Sequence, residues 1–343
     1  MEKRAKIISF VVPSYNSQDY LNICVDSLVK GGDDVEVLIV NDGSTDNTLA
    51  IAKDYEYRYP NIVRVLDQEN GGHGEGINHG LLEAKGLYFK VVDSDDWVDE
   101  HALAAVIDRL KRFEKEGGVD LLVTNYVYVN SNKKKRRIIR YQNAIPKNRV
   151  VRWADTKPFM IWQNLTLHSC MFRTSVLRES GVVLPKHLFY EDNYFIYKPL
   201  PYVAKLAYCD VNLYNYLIGR DGQSVAEEAL KARYSHQVQI SKLCFEAYHL
   251  GEIKRMNYRL EKYMFHELCL MMTLGSIFPK LDGSEEGKQM VKQMWKEAFE
   301  YDFTYAFKIR FISYVAFLNL PGAWGRKIGV GIYRLSNLAV PFN

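Results

Sequence analysis

Two stretches decide the fold: Ile7-Ile-Ser-Phe-Val-Val-Pro-Ser-Tyr-Asn16 and Val35-Glu-Val-Leu-Ile-Val-Asn-Asp-Gly-Ser-Thr-Asp46. Each is a short, β-branched apolar run that halts abruptly in polar turn residues. Apolar side chains at consecutive rather than alternate positions mark a strand covered on both faces. Three more such runs follow, at Ile62–Leu66, Tyr88–Val92 and Asp120–Tyr126. The segments between them carry helical spacing: Leu21, Cys24, Val25 and Leu28 share one face, as do Leu103, Val106, Ile107, Leu110 and Phe113. Strand–helix alternation predicts right-handed βαβ units and an α/β fold with a doubly wound, mostly parallel sheet. Ligands of such sheets bind beyond the carboxyl ends of the strands.

Those ends carry the candidate chemistry. The first strand runs into Pro13-Ser-Tyr-Asn16, the second into Asn41-Asp-Gly-Ser-Thr-Asp46, the third towards Asn70-Gly-Gly-His-Gly-Glu-Gly-Ile-Asn78 and the fourth into Asp93-Ser-Asp-Asp96. Asp93 and Asp95, two apart at a strand end, leave the same face and can hold one hard divalent cation, Mg²⁺ or Mn²⁺; the bland reading is an acidic turn capping the helix near Asp99. Asp42 occupies the position of a ribose- or base-binding acid, while Ser44, Thr45 and Asp46 suit a helix start. Pro13, Tyr15 and Asn16 suit a rigid turn with an aromatic wall for a nucleobase. Gly71 and Gly72 let backbone approach phosphate at a helix N-terminus, with His73 and Asn78 as donors. Neither a Rossmann fingerprint nor a P-loop fits, since these glycines follow the third strand and no Gly-Lys-Ser/Thr is present. Glu191 and Asp192 lie among apolar and aromatic residues, where a carboxylate tends towards a raised pKa and can serve as general base; a surface ion pair is the plainer reading. Arg220, Gln223 and Ser224 could give cationic and amide donors to a diphosphate, or form a simple turn.

Composition is that of an ordinary globular chain: 343 residues, 48% hydrophobic and 25% charged, enough for about two domains. The net charge of +4 hides an uneven spread. Residues 130–152 hold nine Lys/Arg and residues 303–343 five, with no acid in either, so the remainder is net acidic. No nucleic-acid partner is expected. Five scattered cysteines without CxxC spacing indicate neither a zinc site nor a disulfide framework and suit a reducing, cytoplasmic setting. The apolar run after the basic N-terminus stops at Pro13, too short for a secretion signal, and no uncharged apolar run reaches transmembrane length.

Taken together, Val12-Pro-Ser-Tyr-Asn16, Asn41-Asp-Gly-Ser-Thr-Asp46, Asn70-Gly-Gly with Asn78 and Gly80, Asp93-Ser-Asp-Asp96, Glu191-Asp192 and Gln223-Ser224 resemble the motifs of the inverting family-two glycosyltransferases of the GT-A fold, in family order over roughly residues 7–225. The resemblance implies a GT-A domain over 1–225; the helical region expected over 226–343 rests on its sequence pattern and matches no motif. It implies a nucleoside-diphosphate sugar donor, a UDP-sugar foremost, bound by Asp42, the Pro13–Tyr15 turn, the glycine loop and Ser94. Asp93 and Asp95 would correspond to the metal motif, and Asp192, beside Glu191, to the base that activates an acceptor hydroxyl. One departure is Ile77, where many relatives carry an arginine. Alternatives are a sugar-phosphate nucleotidyltransferase, disfavoured because no Gly-rich Arg/Lys loop follows the first strand, and a retired transferase that binds without turnover.

After residue 226 the pattern is helical, with Leu230, Tyr234, Val238, Phe245 and Tyr248 on one face. From Phe303 to Asn343 the acid-free, aromatic composition, including Phe307, Phe311, Tyr314, Phe317, Trp324 and Tyr333, is that of helices lying in a membrane interface. The expectation is peripheral contact with the inner face of the cell membrane, to which Lys133 to Arg152 would add if on the same side, and a carbohydrate or lipid-linked saccharide acceptor. The competing reading makes these rings the core of the helical domain.

Overall fold

The computed structural model describes residues 6–130, 136–161, 163–219, 227–319 and 331. The chain divides into two compact units, Met1–Leu217 and Ile218–Asn343; the expected boundary at 225/226 falls within the segment 220–226, outside the described residues.

In the first unit β1 (Ile8–Ser14), α1 (Leu21–Leu28), β2 (Val35–Asp42), α2 (Thr48–Arg58), β3 (Val63–Gln68), α3 (His73–Glu83) and β4 (Tyr88–Val91) alternate as the apolar runs predict. Then come β5 (Trp97–Val98), α4 (Glu100–Lys115), β6 (Leu121–Asn130), β7 (Arg136–Ile139), β8 (Val150–Val151), β9 (Cys170–Arg173), α5 (Thr174–Glu179), α6 (Asp192–Tyr197) and β10 (Leu206–Ile218). The sheet order is β3-β2-β1-β4-β9-β6-β10-β5, with β7 on β6 and β8 on β10. β3, β2, β1 and β4 pair in parallel. β9 pairs antiparallel to both β4 and β6, and β5 and β8 are antiparallel to β10.

The sheet is therefore mixed, and its parallel part is the four strands that the sequence pattern exposes. The run expected as a fifth neighbour, β6, points the same way as β4, but β9 fills the place between them. All seven residues of β1 and all eight of β2 are buried, which is why those runs do not alternate. The predicted inner faces of α1 and α4 are buried in one core with β1, β2 and Tyr88. Helix α3 lies close on β1 because Gly80 faces Val11, where a Cβ would come within 2.3 Å of the valine side chain. All five cysteines are free and buried.

The second unit is helical: α7 (Glu227–Ala232), α8 (Tyr234–Glu246), α9 (Leu250–Met256), α10 (Tyr258–Asp282), α11 (Glu285–Tyr301) and α12 (Phe303–Phe307), then a π-helical turn over Lys308–Ile312 and a 3₁₀ turn over Ala316–Asn319. The expected face beginning at Leu230 is split between α7 and α8. Asn257 caps α10, which ends on left-handed Gly283, and Ser284 caps α11. Trp295 is buried and donates to Ser276 Oγ at 3.0 Å, tying α11 to α10. No helix among the described residues is long and apolar enough to cross a membrane. Trp324 and Tyr333 lie outside the described residues.

Candidate active site

Four loops leave the carboxyl ends of β1 to β4, and much of their polar content holds the loops to one another. Asn16, at φ +49°, accepts from Thr45 N at 2.9 Å and donates its own N–H to Ser44 Oγ at 3.1 Å. Ser17 meets Ser94 hydroxyl to hydroxyl at 2.7 Å. Asp46 accepts from Thr48 N at the start of α2. Buried Asp42 accepts from Gln68 Nε2 at 2.7 Å and from Gly71 N and Gly72 N, both at 2.8 Å. Its carboxylate thus folds the glycine loop, a use that the nucleotide reading did not include. Asn78 clamps Leu184, donating to its carbonyl and accepting from its N–H, both at 2.9 Å. Gly72 adopts φ +86° with His187 backbone at 2.9 Å from where a Cβ would stand, so no other residue fits this position. Pro13 is buried, and Tyr15 is 54% exposed at the rim. Arg220, Gln223 and Ser224 lie outside the described residues.

His73, the first residue of α3, joins two parts of the site. Its Nε2 is 3.0 Å from Asp93 Oδ1 and its Nδ1 is 2.7 Å from Glu191 Oε1. Only an imidazolium donates at both nitrogens. Burial opposes that charge, but the bonds to Asp93 and Glu191 prevail and hold His73 well above the ordinary histidine range. Asp93 is held far below the usual carboxylate range, where burial is outweighed by His168 and His73.

Glu191 is buried, whereas Asp192, the first residue of α6, is half-buried. Asp192 Oδ1 accepts from Asn193 Nδ2 at 3.1 Å. Burial, reinforced by the negative charge of Glu191 and opposed by His73, pushes the Asp192 carboxyl up to about 7. The approach to this pair is strained: Tyr190 sits at φ +69° and His187 at φ +51°, each costing on the order of 1–3 kcal/mol. His187 N donates to Gly71 O at 2.8 Å, which ties the strained segment to the glycine loop.

A divalent cation fits beside this chain of groups. Ligand atoms of Asp93, Asp96 and His168 all lie within 4.8 Å of one another. Asp96 is buried and accepts from Tyr214 Oη at 2.6 Å and Leu217 N at 2.8 Å. Burial and the nearby Asp93 charge push its carboxyl well up, a crowding that a cation relieves. The His168 ring stacks on Tyr216 at 4.2 Å, with Tyr214 at 5.0 Å. Burial lowers its pKa, against the pull of Asp93, which favours the neutral imidazole that ligates metals. His168 Nδ1 is buried with no hydrogen-bond partner among the described residues. Two carboxylates and one imidazole suit Mn²⁺, and Mg²⁺ less well. The cluster joins Asp93 to Asp96 and His168, with half-buried Asp95 outside it. Asp99, not the acidic turn, caps α4: its Oδ1 accepts from Ala102 N at 2.9 Å.

Sequence reasoning missed His168, Asp96 and Lys90. Buried Lys90 donates to the carbonyls of Leu167 and His168, both at 2.7 Å, and of Cys170 at 3.2 Å, so it fixes the turn that presents His168. A lysine inside the apolar run Tyr88-Phe-Lys-Val91 was the available signal. His168 gave none, because a lone histidine in an irregular segment is usually incidental.

A half-parallel mixed sheet with acids and an imidazole at the carboxyl edge of β4 is the architecture of a GT-A glycosyltransferase domain. The sequence profile of glycosyl transferase family 2 matches residues 9–180, half of the chain; the chain belongs to that family. It is 31% identical over 224 residues to the poly(ribitol-phosphate) beta-glucosyltransferase of Bacillus spizizenii, covering 64% of this chain and 33% of that protein. It is 40% identical over 124 residues to glycosyltransferase GlyG of Streptococcus pneumoniae, covering 36% of this chain and 40% of that one. The chain thus spans less than half of these relatives' lengths. Residues 1–349 of S. aureus TarS share the fold at TM-score 0.58 and 19% identity, over 96% of this chain and 92% of that one. A mannosyltransferase of Pyrobaculum calidifontis, solved with GDP-Man and Mn²⁺, matches at TM-score 0.51 and 13% identity over 99% and 85% of the two chains.

Proposed function

We propose that the chain is a metal-dependent, inverting glycosyltransferase. It moves a sugar from a nucleoside-diphosphate sugar, a UDP-sugar foremost, to an acceptor hydroxyl during surface-polysaccharide or glycolipid assembly. The relatives' names support the pathway class, and the TarS structure solved with UDP-GlcNAc supports the donor class. The acceptor is a carbohydrate or a lipid-linked saccharide at the inner face of the membrane. The observation that carries the reading is the His73 bridge, which sets the Glu191-Asp192 pair one side chain away from Asp93, just after β4.

Asp192 takes the acceptor proton. The acceptor oxygen forms its bond to the anomeric carbon as the bond to the diphosphate oxygen breaks, inverting that carbon. Glu191, bound to His73, keeps its carboxylate out of proton transfer and leaves the role to Asp192. A cation held by Asp93, Asp96 and His168, with Asp95 adjacent, supplies positive charge to the leaving diphosphate when bound. Tyr15, exposed at the rim, offers the donor an aromatic wall from the first loop. The deciding experiment offers UDP-, GDP- and dTDP-sugars with Mn²⁺ and reads product configuration by NMR. A β-linked product from an α-linked donor is expected, and retention would refute single displacement.

A further inference from the structure

The second unit carries an exposed surface that includes none of the residues assigned to the site. Phe299, Phe303, Phe307 and Phe311 recur every fourth residue from α11 through α12 into the π-helical turn, with ring centroids 5.5, 6.0 and 5.2 Å apart in succession. Such spacing makes one stripe on a helical surface, and a stripe of phenylalanines ordinarily faces a core. Here Phe303 is 65% exposed, Phe307 41% and Phe311 48%, and Ile312, Tyr314 and Phe317 are exposed beside them. Six of the seventeen large apolar residues exposed among the described residues thus fall within 303–317.

Cations accompany the stripe. The Arg310 guanidinium lies 5.0, 5.8 and 5.5 Å from the rings of Trp295, Phe299 and Phe311. Its Nε is buried with no hydrogen-bond partner, and no carboxylate pairs with it among the described residues. Lys308 lies over the Tyr305 ring at 4.5 Å. Lys280, which donates to Leu318 O at 3.0 Å, is pushed down to about 8 by burial and by the Arg310 charge. The acids at the margin have other partners: Glu300 pairs with Lys296, and Asp302 accepts from Tyr305 N. A guanidinium with no carboxylate partner among the described residues, set at an exposed aromatic stripe, suits an external anion. A two-fold contact between copies through this face would set cation against cation.

We infer that the Phe303–Phe311 stripe and Arg310 form a docking surface for an anionic membrane, with rings at acyl depth and Arg310 on lipid phosphate. Lys308, beside the stripe over Tyr305, adds to the same attraction. The inference stands apart from the transferase reading, because vesicle binding needs neither donor nor turnover. The test is co-sedimentation of the full chain with vesicles of phosphatidylcholine alone, or with a third phosphatidylglycerol, at low and moderate salt. Wild type should bind the anionic vesicles, and weaken on adding salt. Phe303→Ser/Phe307→Ser/Phe311→Ser should lose binding at least tenfold, and Arg310→Gln about fivefold, the loss expected for one basic group at such a surface. Donor hydrolysis and a cooperative melt serve as folding controls for both variants. Wild type remaining in the supernatant with anionic vesicles would overturn the inference. So would variants that bind like wild type, or a phenylalanine variant whose only change is from dimer to monomer.

Discussion

The half-buried Asp192 carboxyl, pushed up to about 7, links rate and stability in opposite directions. A general base works only when ionised, so kcat/KM should rise about tenfold per pH unit below 7 and level off above it; at pH 5 it should stand about 100-fold below the plateau. Asp192→Asn removes the base while keeping the volume, and should cost roughly two to four orders of magnitude and abolish that limb. The fold responds the other way. A folded-state pKa above the unfolded value of about 3.9 favours folding fully below that pH, and the benefit is lost as pH rises through about 7. At pH 8 the wild type therefore holds an ionised group at a cost, about 1–2 kcal/mol after allowance for solvent at a half-buried site. Asp192→Asn should melt higher at pH 8, by about 2–4 °C per kcal/mol for a unit of this size, and the gain should vanish near pH 4. Stopped donor-consumption assays across pH 5–9 and melts at both pH values give the two readouts. A flat wild-type profile, or an active Asp192→Asn beside a dead Glu191→Gln, would refute the assignment of the base.

Other outcomes follow from the same contacts. His73→Gln removes the charge that opposes the rise at Asp192, so the kinetic midpoint should move upward; an unmoved midpoint separates His73 from the base pair. Chelation should abolish transfer, and Asp93→Asn should weaken Mn²⁺ binding in calorimetry more than Asp95→Asn does, since Asp93 alone of the two belongs to the cluster. Lys90→Met strips the carbonyls of Leu167, His168 and Cys170 of their shared donor, and should cost about 3 kcal/mol in denaturant melts; a loss below about 1 kcal/mol would mean that the turn holds without it.

The parallel half of the sheet was legible because burial on both faces leaves continuous apolar runs, and β1 and β2 are buried throughout. The antiparallel half was not. β9 has four residues, and its place between β4 and β6 is set by pairing across long sequence separations that no local pattern encodes. The site divides in the same way. The rim loops were readable as a set, and Glu191-Asp192 stood out among aromatic neighbours. His168 reaches Asp93 only because buried Lys90 folds the turn before β9, and that is a tertiary fact.

Where a rim residue's hydrogen bonds go separates building from chemistry. Asp42 gives its carboxylate to Gln68, Gly71 and Gly72, and Asn78 gives its amide to Leu184. Asn16 and Ser17 join the first loop to the second and fourth. Replacing any of these would loosen the rim before it altered a ligand contact, so lost binding in such variants would not by itself identify a ligand. Asp192 differs: among the described residues its carboxylate is bonded only within its own turn, to the adjacent Asn193, and ties no loop to another. Glu191 stands between these cases: it is bound to His73, and under the proposed mechanism that bond divides the acidic pair into a held member and a working one. Exchanging the two, Glu191→Asp with Asp192→Glu, keeps charge and composition but shortens the arm that reaches His73. If that division of labour is right, the exchange should cost activity as heavily as Asp192→Asn while leaving the melt at pH 8 near wild type. A fully active exchange variant would show that either carboxylate can serve.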